Sequence, residues 1–161
     1  MNIAFVPAKT SDAAAISALR QRIWDTTYRG IYPDAVIDDF NYEWHQQRDL
    51  IKISDPSFTV YLIKYGDEDI GYFIFQQAGS GVWLRSLYVL QEYQHRGIGK
   101  QAFSILYDYC KEKEFGCFSC VCSPHNENAM RFYKRMGGAV IKTATGHENR
   151  QEDGVVFEFA V

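Results

Sequence analysis

Three runs dominated by apolar, β-branched and aromatic side chains, residues 58–65, 70–77 and 83–90, stand between short polar breaks and read as strands. The breaks, Gly66-Asp67-Glu68-Asp69 and Gly79-Ser80-Gly81, have hairpin length and composition, which predicts an antiparallel meander. Beyond it the period changes. Ile98, Ala102, Ile105, Leu106 and Tyr109 recur at helical spacing, residues 117–122 return to strand character, and Ala129, Phe132, Tyr133 and Met136 mark another helix. Strand, helix, strand in that order predicts a right-handed parallel crossover. Gly137-Gly138 ends the last helix, and residues 139–145 and 155–161 form a closing hairpin around the polar loop 146–153.

Before the meander, residues 3–7 read as a strand, and Thr10 or Ser11 caps a helix whose apolar face holds Ala14, Leu19 and Ile23. That helix fades near Thr26. Gly30 and Pro33 punctuate a loop over 28–33, and from Pro33 or Asp34 a second helix is expected through Val36, Ile37, Phe40 and Trp44, before a break at 54–57. With no internal repeat, linker or low-complexity tract, residues 1–161 read as one α+β domain. Its expected core is a mixed, mostly antiparallel central sheet of about seven strands with helices on both faces.

Composition narrows the function classes. A formal net charge of -3 and the lack of any basic block argue against a nucleic-acid footprint. No apolar run approaches the ~20 residues that span a bilayer, and no signal segment opens the chain, so a cytoplasmic protein with no membrane partner is expected. The cysteines, Cys110, Cys117, Cys120 and Cys122, lack zinc-finger spacing. Cys120 and Cys122 share one strand face while Cys117 faces the other way, so free thiols and no metal site are expected.

Candidate chemistry centres on Gln94-His95-Arg96-Gly97-Ile98-Gly99-Lys100, where a loop opens a helix. Unpaired N–H groups at a helix start bind phosphate. Two spaced glycines let the backbone approach an anion, and Arg96 and Lys100 add positive charge. The same residues spell a GxGxxA dinucleotide pattern, but residues 91–96 separate the first glycine from its strand. Cys122-Ser123-Pro124 also stands where an acidic strand end should be, so nicotinamide binding fits poorly. A Walker pattern is absent.

A second cluster, Asn126-Glu127-Asn128-Ala129-Met130-Arg131-Phe132-Tyr133 with Gly137 after it, lies one strand further on. Together these segments resemble the GCN5-related N-acetyltransferase (GNAT) superfamily. Gln94, Gly97 and Gly99 match its acyl-CoA loop motif, and Asn126, Ala129, Phe132, Tyr133 and Gly137 match its later motif, in which Gly138 here replaces the usual Phe. Leu87-Tyr88-Val89 looks like the family's strand segment that pairs its backbone with pantetheine. The resemblance covers nearly the whole chain and implies a splayed parallel strand pair at the centre of the sheet. It also implies that acetyl-CoA is held by Leu87, Tyr88, Val89, Gln94, His95, Arg96, Gly97, Ile98, Gly99, Lys100 and Asn126. By motif position, Tyr133 resembles the general acid for the CoA thiolate and also meets the cofactor. Residues 28–33 are similar to segments of bacterial members that acetylate small amines, so Tyr28 and Tyr32 are the expected acceptor-binding residues.

An amine with a pKa of ~10.4 is neutral in only about one molecule in 2,500 at pH 7, a handicap near ~4.6 kcal/mol, so a proton acceptor is expected. Many relatives carry a Glu on the fourth strand. Here that strand offers Arg85 and Ser86 and no carboxylate before Glu92, leaving a water chain or one of Tyr28, Tyr32 and Tyr88. His95 and His125 read as surface or local hydrogen-bonding groups. Asn126 either bonds the pantetheine arm or caps the helix that follows it. The expected activity is direct transfer of acetyl to an amine, with a small molecule favoured over a protein. The alternative is a non-catalytic CoA-binding sensor or interaction domain, which needs no acid at Tyr133. The outer edge of the closing hairpin offers a pairing surface for a homodimer.

Overall fold

The computed structural model describes residues 2–161. Its strands are β1 (Ile3–Pro7), β2 (Phe58–Tyr65), β3 (Glu68–Ala78), β4 (Gly81–Val89), β5 (Cys117–Cys122), β6 (Ala139–Ala144) and β7 (Gly154–Ala160). They form one sheet in the order β1-β2-β3-β4-β5-β7-β6. β4 and β5 are parallel, and the other neighbours are antiparallel. The last hairpin is therefore turned so that β7 sits inside and β6 forms the edge. The side chains explain this order, because Val155, Phe157 and Phe159 of β7 are buried, whereas Val140 and Ile141 of β6 are about half exposed.

β3 supports both faces of the sheet, and Ile70, Tyr72, Phe73, Ile74 and Phe75 are all almost fully buried. On one face Tyr72 and Ile74 pack with Ile16, Leu19 and Ile23 of α1 (Ala13–Thr27), beside α3 (Tyr42–Ser54). On the other, Phe73 and Phe75 join Phe103 and Leu106 of α4 (Ile98–Glu112) together with Phe118, Phe157 and Phe159, and α5 (Glu127–Arg135) lies against the same core. A strand covered on both faces reads as a continuous apolar run, as residues 70–75 do. Among the described residues no helix is long and apolar enough to cross a membrane.

The helix expected from residue 33 through Trp44 is two helices. A short α2 (Asp34–Asp38) stops before Asn41, whose side-chain oxygen accepts from the Trp44 N–H at 3.0 Å and starts α3 afresh. An Asn side chain that caps competes with helix continuation at that position. Trp44 consequently lies on the outer face, 52% exposed beneath Arg48. A 3-10 turn over Thr10–Asp12 also precedes α1, which starts at Ala13.

The splay between β4 and β5 has a local origin. Ile74 pairs with Ser86 and Phe75 with Leu84, so Arg85 is an extra residue on β4. Parallel pairing to β5 is confined to Trp83↔Ser119 and Leu84↔Cys120 and ends where the bulge begins. A bulge bends its strand, so β4 leaves β5 while staying paired to β3 as far as Val89 opposite Gly71. Gly71 is required for that pairing, since a Cβ there would lie 2.3 Å from the Tyr88 carbonyl oxygen. Residues 86–89 thus keep one strand edge without a strand partner.

Candidate functional site

The gap between the splayed strands opens into a cleft of about 400 Å³. One wall is the start of α4. Gln101 N–H donates to the Gly97 carbonyl at 3.1 Å as the first bond of the helix, so the N–H groups of Ile98, Gly99 and Lys100 have no intrahelical acceptor. Gly97 takes φ 77°, a left-handed conformation that suits glycine, and His95 before it takes φ 60°. His95, Gly97, Ile98, Gly99 and Lys100 all line the cleft. Gln94 lines it too and donates its side-chain amide to the Val89 carbonyl at 3.0 Å, tying the loop to the end of β4. Arg96 folds back instead, donating to the Glu92 carbonyl at 3.1 Å and covering the Tyr93 ring, and it is not on the cleft wall.

Gly99 has a second reason to be small. A Cβ there would lie 2.7 Å from the edge of the Phe132 ring, so this glycine permits α5 to approach α4 as well as opening the backbone. The same logic accounts for Gly138, where a Cβ would meet the Phe159 ring and the Tyr133 carbonyl at 2.9 Å. Bulky Phe159 occupies the space that a larger residue at 138 would need.

The facing wall comes from β4, β5 and α5. Leu87 and Val89 turn toward the α4 core, while Tyr88 turns to the α1 side. There its hydroxyl lies 2.7 Å from that of Tyr28, whose ring stacks on Tyr32 at 4.5 Å and 3°. The structure therefore brings Tyr28, Tyr32 and Tyr88 together, and burial pushes the pKa of each above its usual value. Tyr133 packs against Phe157 and Phe132 and also lines the cleft. Its hydroxyl has no hydrogen-bond partner among the described residues, and burial raises its pKa well above the phenol range, so it stands as an O–H donor at neutral pH. Asn126 lines the cleft and caps α5, its side-chain oxygen accepting from Ala129 N–H at 3.2 Å, which leaves its NH2 group available as a donor.

Sequence reasoning did not single out Ser123 and Thr27 for the cleft, nor Cys122, which it favoured as a buried thiol over a metal ligand or an acetyl carrier. The available signal was parity, because Cys120, with Cys122 two residues further on, marks the inward face of a strand that leads to the opening. Burial pushes the thiols of Cys120 and Cys122 up to about 12. It also missed Asp153, whose side chain is 3% exposed and reaches His125 Nε2 at 2.7 Å and His147 Nδ1 at 2.6 Å. Hydrogen bonds from His125 and His147 hold its carboxyl down at about 2. Nearby, Arg29 pairs with Asp25, Asp34 and Asp38, so these rim carboxylates already have a cation. Among the described residues no group of three or more His, Cys, Asp or Glu side chains is arranged to hold a metal ion.

The residues present fit an acyl-CoA. Free N–H groups beside a left-handed glycine suit its pyrophosphate, and an unpaired strand edge suits the peptide-like amides of pantetheine. No curated protein sequence matches the chain significantly. Among solved structures, the paiA N-acetyltransferase of Thermoplasma acidophilum, crystallised with coenzyme A, aligns over 100% of both chains at 20% identity with a TM-score of 0.87. RimL, a ribosomal L7/L12 alpha-N-protein acetyltransferase in complex with coenzyme A, aligns over 100% of this chain and 95% of its own at 14% identity and a TM-score of 0.77. The microcin C7 self-immunity acetyltransferase MccE, in complex with acetyl-CoA and AMP, aligns over 99% and 92% at 14% identity and a TM-score of 0.75. At these identities the likeness establishes the fold. Membership rests on the sequence itself, whose residues 17–138 match the model of the Acetyltransferase (GNAT) family. The chain belongs to the GNAT family of acetyl-CoA-dependent N-acetyltransferases.

Proposed function

We propose that this N-acetyltransferase acetylates a small-molecule amine directly, with Tyr133 as the proton donor and Tyr28 as the acceptor wall, backed by the stacked ring of Tyr32, which does not itself line the cleft. One observation carries the reading. A single cleft runs from the α4 N-terminus on one face of the sheet, past Tyr133, to Tyr28 at the end of α1 on the other. Its volume, about 400 Å³, is in the range of pockets that take small ligands.

In this reading the N–H groups of Ile98, Gly99 and Lys100 hold the pyrophosphate, with His95, Gly97 and Gln94 shaping the loop and Lys100 adding charge. Charge-assisted hydrogen bonds contribute roughly 1.5–3 kcal/mol each, so the loop anchors the cofactor without a metal. Arg96 acts at one remove, bracing the loop through Glu92 and Tyr93. The free edge of Leu87, Tyr88 and Val89 receives the pantetheine amides, and the Asn126 NH2 donates beside them. Acetyl-CoA supplies an acetyl group activated as a thioester. Tyr133, held protonated by burial, donates to the sulfur that the acetyl group leaves.

No Asp or Glu lines the cleft among the described residues, so the proton of the amine departs through hydroxyls and water, a route that the paired hydroxyls of Tyr28 and Tyr88 on the cleft wall support. Cys120 and Cys122 take no part, because thiols raised to about 12 are poor nucleophiles. A homodimer joined through the open edge of β6 belongs to the same reading, and sedimentation of the purified chain tests it.

The deciding experiment measures free CoA released from acetyl-CoA with n-butylamine, 1,4-diaminobutane, tyramine and a peptide with a free N-terminus. A small amine should outpace the peptide, and Tyr133→Phe should lower kcat by about 10²–10⁴-fold with CoA affinity retained. Turnover of the peptide alone, or an undiminished Tyr133→Phe enzyme, would overturn the proposal.

A further inference from the structure

The β6–β7 loop, residues 145–153, lies across a second cavity from the segment that carries Tyr32, an expected acceptor residue. Glu148, Asn149, Arg150 and Gln151 face Tyr32, Pro33 and Asp34 across this cavity, and Tyr32 in turn stacks on Tyr28. The loop has little regular structure to hold it there, only a 3-10 turn at Arg150–Glu152 capped by Asn149. It is held by one buried carboxylate. Asp153 Oδ1 accepts from His147 Nδ1 at 2.6 Å and from the His147 N–H at 3.2 Å, and its Oδ2 accepts from His125 Nε2 at 2.7 Å. Because a carboxylate only accepts, His125 Nε2 and His147 Nδ1 each carry a proton in this arrangement.

The two histidines come from different segments of the chain. His147 belongs to the acceptor loop. His125 belongs to the turn between β5 and α5, where its N–H donates to Ser123 Oγ at 3.3 Å and the next residue is the cap Asn126. Both Ser123 and Asn126 line the cofactor cleft.

We propose that Asp153 is a positioning residue for the amine acceptor. Through His125 and His147 it sets the acceptor loop against the rigid turn of the cofactor cleft, and so fixes where the amine enters. This rests on the acetyltransferase reading above. Asp153 itself does not line the cleft.

The test compares Asp153→Asn, His125→Leu and His125→Gln in the full chain. Asp153→Asn turns one acceptor into a donor facing a ring N–H. His125→Leu removes the donor, while His125→Gln keeps an N–H near the position of Nε2. Asp153→Asn and His125→Leu should each raise the KM for the best amine of the panel about tenfold, leave kcat within about threefold, and keep the CoA dissociation constant within about twofold. The amides of residues 147–152 should exchange with deuterium about tenfold faster in both, and His125→Gln should restore both readouts.

Unchanged amine KM with unchanged exchange would overturn the inference. So would a parallel fall in kcat and CoA binding, which marks a residue that merely supports the fold. If the wild type acetylates no amine, the functional reading fails separately. The clamp then stands or falls on the exchange of residues 147–152 and its rescue by His125→Gln.

Discussion

Tyr28 and Tyr88, sixty residues apart in sequence, meet hydroxyl to hydroxyl at 2.7 Å where the end of α1 crosses the splayed half of β4. Tyr28 is buried and Tyr88 partly buried on the cleft wall, so each oxygen serves the other, and removing one leaves its partner without that bond. An unsatisfied buried hydroxyl costs about 1–3 kcal/mol, whereas replacing both partners by apolar groups of the same shape is nearly neutral. Tyr28→Phe and Tyr88→Phe should therefore each destabilise the fold by about 1–3 kcal/mol, with the double variant well below their sum. Urea denaturation of the three proteins measures this coupling, and strict additivity would show that the bond contributes nothing.

Gly99 and Phe132 make a sharper packing prediction. With the Cβ of an alanine 2.7 Å from the ring, Gly99→Ala must displace Phe132 and with it the contact of α5 on α4. Overpacking of this kind costs about 1–3 kcal/mol. Adding Phe132→Leu should recover part of that loss, because the shorter side chain vacates the colliding volume. Thermal denaturation should show Gly99→Ala below wild type and the double variant between them. A Gly99→Ala protein as stable as wild type would mean that the ring yields freely and that the glycine serves the backbone alone.

The cysteines should react in a graded way with pH. Cys117 is exposed, whereas burial pushes Cys120 and Cys122 up to about 12 and Cys110 up to about 11. Only the thiolate is nucleophilic, and at pH 8 a thiol with a pKa near 12 is ionised in about one molecule in 10⁴. Iodoacetamide at pH 8 should label Cys117 and spare the other three in the native protein. Raising the pH by one unit should speed any labelling of Cys122 about tenfold. Mass mapping reads both, and rapid labelling of Cys122 at pH 8 would contradict the burial argument.

Much of the fold was legible because its elements carry their own periodicity. The apolar, β-branched and aromatic runs of 58–65, 70–77 and 83–90 and the helical spacing from Ile98 to Tyr109 each correspond to an element at that place. The exceptions are informative. Trp44 resembled the apolar face of a continuing helix, but the Asn41 cap restarted the backbone and turned the ring outward. Gly97 was legible as a glycine that lets the backbone approach an anion at a helix start, and its left-handed φ of 77° belongs to the structure. The role of Gly99 against Phe132 was not, because it depends on how two helices separated by a strand approach each other.

By itself the sequence determined the local devices: the glycine loop that leaves three helix N–H groups free, the Asn126 cap, and the apolar stripe that carries Phe132 and Tyr133. These depend on neighbours within a few residues. Only the tertiary structure decided that the bulge at Arg85 parts β4 from β5 and that β7 lies inside β6. It alone joined Tyr28 to Tyr88 and bound His125 to His147 through Asp153. The side-chain pairings span sixty residues from Tyr28 to Tyr88 and twenty-eight from His125 to Asp153, and six from His147 to Asp153. They form because strand order and the packing of both faces bring polar groups from different segments together, where partly buried groups find partners.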